Sequence, residues 1–264
     1  RSFDESLMET VDFLIIGAQK AGTTSLYNYL RQHRSVKGAL GQEIKYFDKW
    51  YHVKDVAWYR AHFPLCWTLT GGGRQRLCCE STPSYLLDPH VPGRVRSTVP
   101  GVCLIVLLRN PVDRAFAQWR HNMNRGNARY AFGSFEEALQ QEEEIVPEEE
   151  RLMSENPFYF SPRFLQCSYV KRGLYAEQLS RWLEVFPRER VHVIQSERLF
   201  EHPEDEFQRV EQFLDLPHDA GIVFRTYNAG GDGRMDPATR QRLVELFEPY
   251  NRRLYRLLGE EWDW

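Results

Sequence analysis

Gly17 and Gly22 bracket a single lysine, Lys20, in the segment DFLIIGAQKAGTTSLYNYL from Asp12 to Leu30. The apolar run Phe13 to Ile16 has the composition of a strand buried on both faces of a parallel sheet, and an amphipathic helix follows Gly22. A turn of this kind gathers backbone N–H groups and the positive end of the helix around one anion. The glycines allow the tight backbone path. Lys20 adds a point charge, the Ala21 and Gly22 backbone supplies N–H groups, and Thr23, Thr24 and Ser25 supply hydroxyls. A nucleoside-triphosphate loop reads G-x-x-x-x-G-K-[ST], its lysine reaching the β/γ-phosphates and its hydroxyl holding magnesium. Here the glycine spacing is kept, but Thr23 stands in the lysine's position and Lys20 lies inside the loop.

A second anion site is expected at Arg109, where the apolar run Leu104 to Leu108 ends and Asn110 and Pro111 open a helix. Ligands of open α/β sheets bind at that carboxyl edge, and proline is tolerated in a first helical turn. A candidate base lies in GQEIKYFD, Gly41 to Asp48, which carries Glu43 and Asp48. A partly buried carboxylate can take the proton of an acceptor hydroxyl. Thr82 and Tyr85 of ESTPSYLL are candidates to line the same cleft.

In their order and approximate spacing these segments resemble the sulfotransferases that use 3′-phosphoadenosine 5′-phosphosulfate (PAPS). The resemblance is strongest to Golgi-type carbohydrate enzymes, the heparan sulfate glucosaminyl sulfotransferases, and to their bacterial relatives. It covers most of Asp12 to Trp264 and implies that Lys20 to Ser25 hold the 5′-phosphosulfate. Arg109 matches the family's strand-R-[ND]-P-x-x-R-x-x-S signature for the 3′-phosphate, although Ala117 replaces its serine. The family segment N-E-V-H-F-F-D aligns with the Glu43 segment. The alignment implies that Glu43 is the catalytic base, that Lys45 takes the place of a histidine and that Asp48 is an acceptor-site residue. In E-K-T-P-x-Y, Ser81 replaces the lysine that helps stabilise the transferring group, and Thr82 keeps the threonine. The family's R-x-L-Y helix implies that Arg172, Gly173 and Tyr175 lie near the 3′-phosphate. Its Gly-rich closing loop, K-G-R-x-H-P, implies nucleotide contacts from Gly231, Gly233 and Arg234, with Asp232 and Asp236 replacing the lysine and histidine.

The implied reaction is an in-line transfer of the sulfuryl group from PAPS to a hydroxyl of a carbohydrate acceptor, a glycosaminoglycan-like polysaccharide. Glu43 would act as base, Lys20 would neutralise the leaving group, and no metal is required. A small-molecule alcohol is the alternative acceptor. Two other classes are less favoured: a P-loop small-molecule kinase, which lacks its K-[ST] pair here, and a non-catalytic nucleotide- or glycan-binding module.

Strand and helix signals alternate along the chain, which predicts an α/β fold over one domain, residues 1–264, with a P-loop-like, mostly parallel sheet flanked by helices. Beyond the first strand and helix, extended segments are expected at Lys45 to Phe47, Leu77 to Ser81, Val102 to Leu108 and Val191 to Gln195. Helices are expected at Val56 to Phe63, Pro92 to Val99, Pro111 to about Arg125, Leu174 to Phe186, Pro203 to Leu214 and Pro237 to Leu258. Gly71 to Gly73 reads as a turn. The acidic stretch Phe135 to Arg151 reads as an exposed helix interrupted near Pro147, a solvated face.

The net charge of -3 argues against a general nucleic-acid binder. Arginine outnumbers lysine, and Arg74, Arg76, Arg120 and Arg125 are candidates to meet sulfates or uronates of a polysaccharide. Five cysteines, Cys66, Cys78, Cys79, Cys103 and Cys167, show no metal-ligand spacing and leave any disulfide pairing open. No apolar run of membrane-spanning length occurs, so no membrane insertion by this segment is expected. The resemblance implies a Golgi lumen location if an anchor has been removed from this chain, and a cytoplasmic one otherwise.

Overall fold

The computed structural model describes residues 11–64, 76–124, 130, 132–225, 227 and 233–264. Five strands form one sheet in the order β2-β3-β1-β4-β5. They are β1 (Phe13–Gly17), β2 (Val36–Gly38), β3 (Leu77–Ser81), β4 (Cys103–Leu108) and β5 (Val191–Gln195). Every pairing is parallel. β1 and β4 are apolar throughout because helices cover both faces of such a sheet. Phe13 to Ile16 and Leu104 to Leu108 are fully buried. Each large aliphatic side chain removed from water in this way contributes roughly 1.5–3 kcal/mol.

From β1 the chain runs to β2 and β3 on one side and later to β4 and β5 on the other, so the connections diverge at the β1/β4 boundary. Such a divergence opens a crevice at the carboxyl ends of the strands. The helix α1 (Thr23–Gln32) leaves one side of the crevice and α4 (Pro111–Asn124) leaves the other. The shorter helices α2 (Val56–Arg60) and α3 (Val91–Thr98) lie between β2 and β4 in the chain. After α4 come α5 (Phe135–Glu155), α6 (Pro162–Cys167) and α7 (Tyr175–Leu183). Then α8 (Ser196–Glu201), α9 (Pro203–Phe213) and α10 (Pro237–Leu258) follow β5, with α10 packed on α7 and α4.

Two sequence expectations are corrected, and one strand is added. Lys45 to Phe47 is not extended: Tyr46–Trp50 forms a single π-helical turn. Tyr46 stacks on Tyr59 at 4.6 Å while Phe47 meets Tyr59 and Tyr85 edge-on at 5.0 and 5.5 Å, and this aromatic packing winds the backbone inward. The edge strand β2, unforeseen in the sequence, carries too little pattern in three residues to be read. The acidic stretch is one continuous helix, α5, that runs through Pro147. Buried Ile145, Val146 and Met153 hold it on both sides of the proline, and Glu142 and Glu149 are buried rather than solvated.

Cys79, Cys103 and Cys167 are free thiols. Cys66, the Gly71 to Gly73 turn, Arg74 and Arg125 lie outside the described residues. No helix among the described residues is long and apolar enough to cross a membrane.

The end of β1 has no room for a side chain. Gly17 has φ of 153°, and a Cβ there would stand 2.7 Å from Leu86 Cβ and 2.9 Å from the Pro83 carbonyl oxygen. Gly17→Ala should therefore destabilise the fold by roughly 2–4 kcal/mol in urea denaturation, combining backbone strain with overpacking. A loss below about 0.5 kcal/mol would show that the Pro83–Leu86 turn yields freely.

Candidate functional site

The loop Ala18 to Gly22 crosses the crevice and is fastened to its far wall. The Ala18 N–H donates to the Leu107 carbonyl at 2.6 Å, and the Ser196 hydroxyl donates to the Ala21 carbonyl. Gly22 caps α1 in the left-handed conformation, φ 90°, and a Cβ there would meet the Phe200 ring at 2.8 Å. Among the described residues no side-chain hydrogen bond caps α1, and its first turn holds no acidic residue. The first N–H groups of a helix have no intrahelical acceptor, so this terminus is suited to an external anion.

Arg109 leaves β4 beside this loop, and its Nη1 donates to the Lys20 carbonyl at 3.3 Å. Two further contacts hold the Arg109 turn. The Tyr175 hydroxyl donates to the Arg109 carbonyl at 2.8 Å, and the Asn110 N–H donates to Glu197 Oε1 at 2.8 Å. Asn110 Oδ1 then caps α4 by accepting from the N–H groups of Val112 and Asp113. The two anion sites expected from the sequence therefore adjoin.

Gln42 joins the Glu43 segment to both β3 and α1. Its Nε2 donates to Thr24 Oγ1 at 3.1 Å, and its carbonyl accepts from the Ser81 N–H at 3.3 Å. Glu43 pairs with Lys45 at 3.1 Å, and the two side chains are 42% and 41% exposed, open to solvent. Beneath them Glu80 is wholly buried and accepts hydroxyls from Thr82, Tyr59 and Tyr85 at 2.6, 2.7 and 2.7 Å.

Residues 10–229 match the family model described as the sulfotransferase domain. The chain belongs to the sulfotransferase family. It is 31% identical to human heparan sulfate glucosamine 3-O-sulfotransferase 6 across 95% of this chain and 72% of that protein. It is 27% identical to a membrane-associated sulfotransferase of Dictyostelium discoideum across 96% of this chain and 66% of that protein. The crystal structure of a sulfotransferase from Alicyclobacillus acidocaldarius superposes with a TM-score of 0.75 at 28% identity, covering 96% of this chain and 98% of that one.

In this sulfotransferase the crevice gathers Lys20 to Thr24 and Arg109, with the buried Tyr175 holding the Arg109 carbonyl from behind, and Gln42 brings the Glu43 and Lys45 segment alongside. Thr82 and Ser81 line the β3 end, and the buried Ser81 hydroxyl has no hydrogen-bond partner among the described residues. Other expected residues stand back from the open cleft. Ser25 is buried and its hydroxyl accepts from the Tyr227 N–H at 3.2 Å. Arg172 is only 2% exposed and donates to the Leu165 carbonyl. Asp48 is buried and accepts from the Ser84 hydroxyl at 2.6 Å. Gly233 packs against the Arg120 guanidinium on α4 and Arg234 is exposed, while Gly231 lies outside the described residues.

The sequence reading did not single out Gln42, Ser196 or Glu197, or the buried roles of Glu80 and Arg114. Ser196 and Glu197 directly follow β5, and a polar pair at the carboxyl end of a strand is the signal that could have found them. The others depend on contacts distant in the chain.

Burial sets the electrostatics of this layer. Desolvation raises Glu80 to about 7 against its three hydroxyl donors, Asp48 to about 6 against Ser84, and Glu142 to about 7 against the Lys171 and Val170 N–H groups. Folding thus raises the proton affinity of these carboxyls. Their contribution to stability is present at low pH and is lost as pH rises through 6–7. Asp48→Asn, neutral at every pH, should melt roughly 2–5 °C above the wild type at pH 8, with that advantage shrinking as pH falls through 6 and gone only below the ordinary carboxyl value of 3.8. An advantage that grew on acidification would contradict the assignment.

Proposed function

We propose that this sulfotransferase moves the sulfuryl group of PAPS to a hydroxyl of a glycosaminoglycan-like carbohydrate, with Glu43 taking the acceptor's proton. The observation that carries this reading is the Gln42 bridge. It ties the only expected base to the first turn of the phosphate-loop helix through Thr24 and to the end of β3 through Ser81. A base and an anion cradle held by one side chain are what sulfuryl transfer to an alcohol needs.

The residues present fit a nucleotide with an anion at each end. One cradle is the uncapped start of α1 with Lys20, Ala21, Gly22, Thr23 and Thr24. The other is Arg109, behind which Arg114 and Arg172 are both wholly buried. Arg172 is pushed down to about 9, first by desolvation and then by the like charge of Arg114. Arg114 is pushed down by desolvation and feels Arg109 as a like charge. The nearby Glu142 spends its oxygens on the Val170 and Lys171 N–H groups at 2.6 and 2.8 Å. An anion at Arg109 would relieve this repulsion.

PAPS supplies the sulfuryl group and a good leaving group when bound. On the protein side, Lys20 and the α1 N–H groups hold negative charge with donors already in position, so little reorganisation is needed. Lys45 keeps Glu43 oriented through their 3.1 Å ion pair. Glu43 accepts the proton from the acceptor hydroxyl, and its partial exposure leaves the approach open. The carbohydrate acceptor is favoured by the relatives named as heparan sulfate glucosamine 3-O-sulfotransferases.

Glu43→Gln should lower kcat by roughly 100-fold or more while leaving PAP affinity in calorimetry unchanged, the signature of a lost general base. Turnover near the wild-type value would remove Glu43 from the role. Lys20→Ala should lower kcat by about 100-fold or more, as for loss of one oxyanion donor. A kcat within a few-fold of wild type would assign the charge stabilisation to the backbone alone.

A further inference from the structure

We infer that Glu80 is a positioning residue for the transfer reaction: it draws the protons of the Thr82 and Tyr85 hydroxyls to itself, leaving their oxygens to anchor the backbone that carries Glu43. This rests on the reading of Glu43 as the base.

The direction of these hydrogen bonds follows from counting protons. A hydroxyl has one proton to give and lone pairs with which to accept. The Lys45 N–H donates to Thr82 Oγ1 at 3.4 Å, and the Phe47 N–H donates to the Tyr85 hydroxyl oxygen at 3.3 Å. Each oxygen is therefore an acceptor on its outer side. Each proton points to Glu80 Oε1, at 2.6 Å from Thr82 and 2.7 Å from Tyr85. One buried carboxylate oxygen thus orders two relays that end on the backbone two and four residues beyond Glu43.

The relays act where the backbone most needs them. Lys45 has a positive φ of 57° immediately before the π-helical turn Tyr46–Trp50. Backbone held in that region persists only where its surroundings determine it. The remaining oxygen, Oε2, accepts the Tyr59 hydroxyl at 2.7 Å, and no hydrogen bond among the described residues links that hydroxyl to the Lys45–Phe47 backbone. Tyr59 and Tyr85 are both buried and bound to the same carboxylate, and both rings pack on the Glu43 segment, yet only the Tyr85 hydroxyl accepts a hydrogen bond from its backbone. A glutamine at position 80 would keep an accepting oxygen for Thr82 and Tyr85 and offer its amide to Tyr59, whereas leucine would offer no acceptor.

The test compares Tyr59→Phe with Tyr85→Phe, and Glu80→Gln with Glu80→Leu. It uses radiolabelled PAPS with heparan sulfate as acceptor, PAP calorimetry, and amide hydrogen exchange at Lys45 and Phe47. Tyr85→Phe and Glu80→Leu should lower kcat by about tenfold or more, since small misplacement of a reacting group is costly. They should also speed exchange at the two amides and leave PAP affinity within about two- to threefold. Tyr59→Phe should stay within about twofold in kcat, and Glu80→Gln should recover most of what Glu80→Leu loses. Should Glu80→Leu fail to fold, the tyrosine pair decides. Equal effects of the two tyrosine changes on turnover and on exchange would overturn the inference. Should heparan sulfate prove a poor acceptor, the exchange comparison alone decides. Inactivity of Glu43→Gln alongside unchanged Tyr85→Phe would sink the positioning role and leave the base reading intact. Full activity of Glu43→Gln would sink the base reading itself.

Discussion

Parallel pairing of β1 with both β3 and β4 obliges three connections to leave the sheet side by side at one edge, and the site is built from those connections. The loop after β1 carries Lys20 and the start of α1, the turn after β4 carries Arg109, and the residues ending β3 carry Ser81 and Thr82. Parallel strands have both faces covered, so the strands can be wholly apolar and only their ends are free for polar work. The bond from the Ala18 N–H to the Leu107 carbonyl extends the sheet pairing by one step past β1, which makes the phosphate loop a continuation of the sheet.

Beneath that edge lies a layer of buried ionisable groups. Glu80, Asp48 and Glu142 are carboxyls whose burial favours the neutral form, and Arg114 and Arg172 are guanidiniums whose burial disfavours the charge. Such groups are a weak source of stability. Four of the five are instead tied to backbone, Glu80 to Lys45 and Phe47 through hydroxyls, Glu142 directly to Val170 and Lys171, Arg114 to the Tyr169 carbonyl and Arg172 to the Leu165 carbonyl, while Asp48 holds the Ser84 hydroxyl. Orientation of the surface groups is what this buried polarity provides.

The elements that position the phosphate loop were legible because long apolar runs and a Gly-bracketed turn are local signals. β1, β4 and β5 and helices α7 and α10 lie close to where periodicity expects them. The Glu43 segment was legible as a motif and misread as a strand, because Tyr46 and Phe47 look β-forming until Tyr59 and Tyr85 are packed against them. Arg172 and Asp48 were recognisable as polar residues in the right segments. Their burial depends on α6 and on the turn after β3, which no nearby residue reveals. Gln42 was invisible for the same reason: its importance lies in bonds to Thr24 and Ser81, far from it in the chain.

The central claim is that the β1/β4 crevice delivers a sulfuryl group to a carbohydrate hydroxyl presented to Glu43. Incubating the protein with PAPS labelled in its sulfur and a panel of glycosaminoglycans tests this most directly. The account predicts label incorporated into polysaccharide as O-sulfate, with one PAP released for each sulfate transferred. Incorporation into none of the polysaccharides, by a protein that binds PAP, would contradict it.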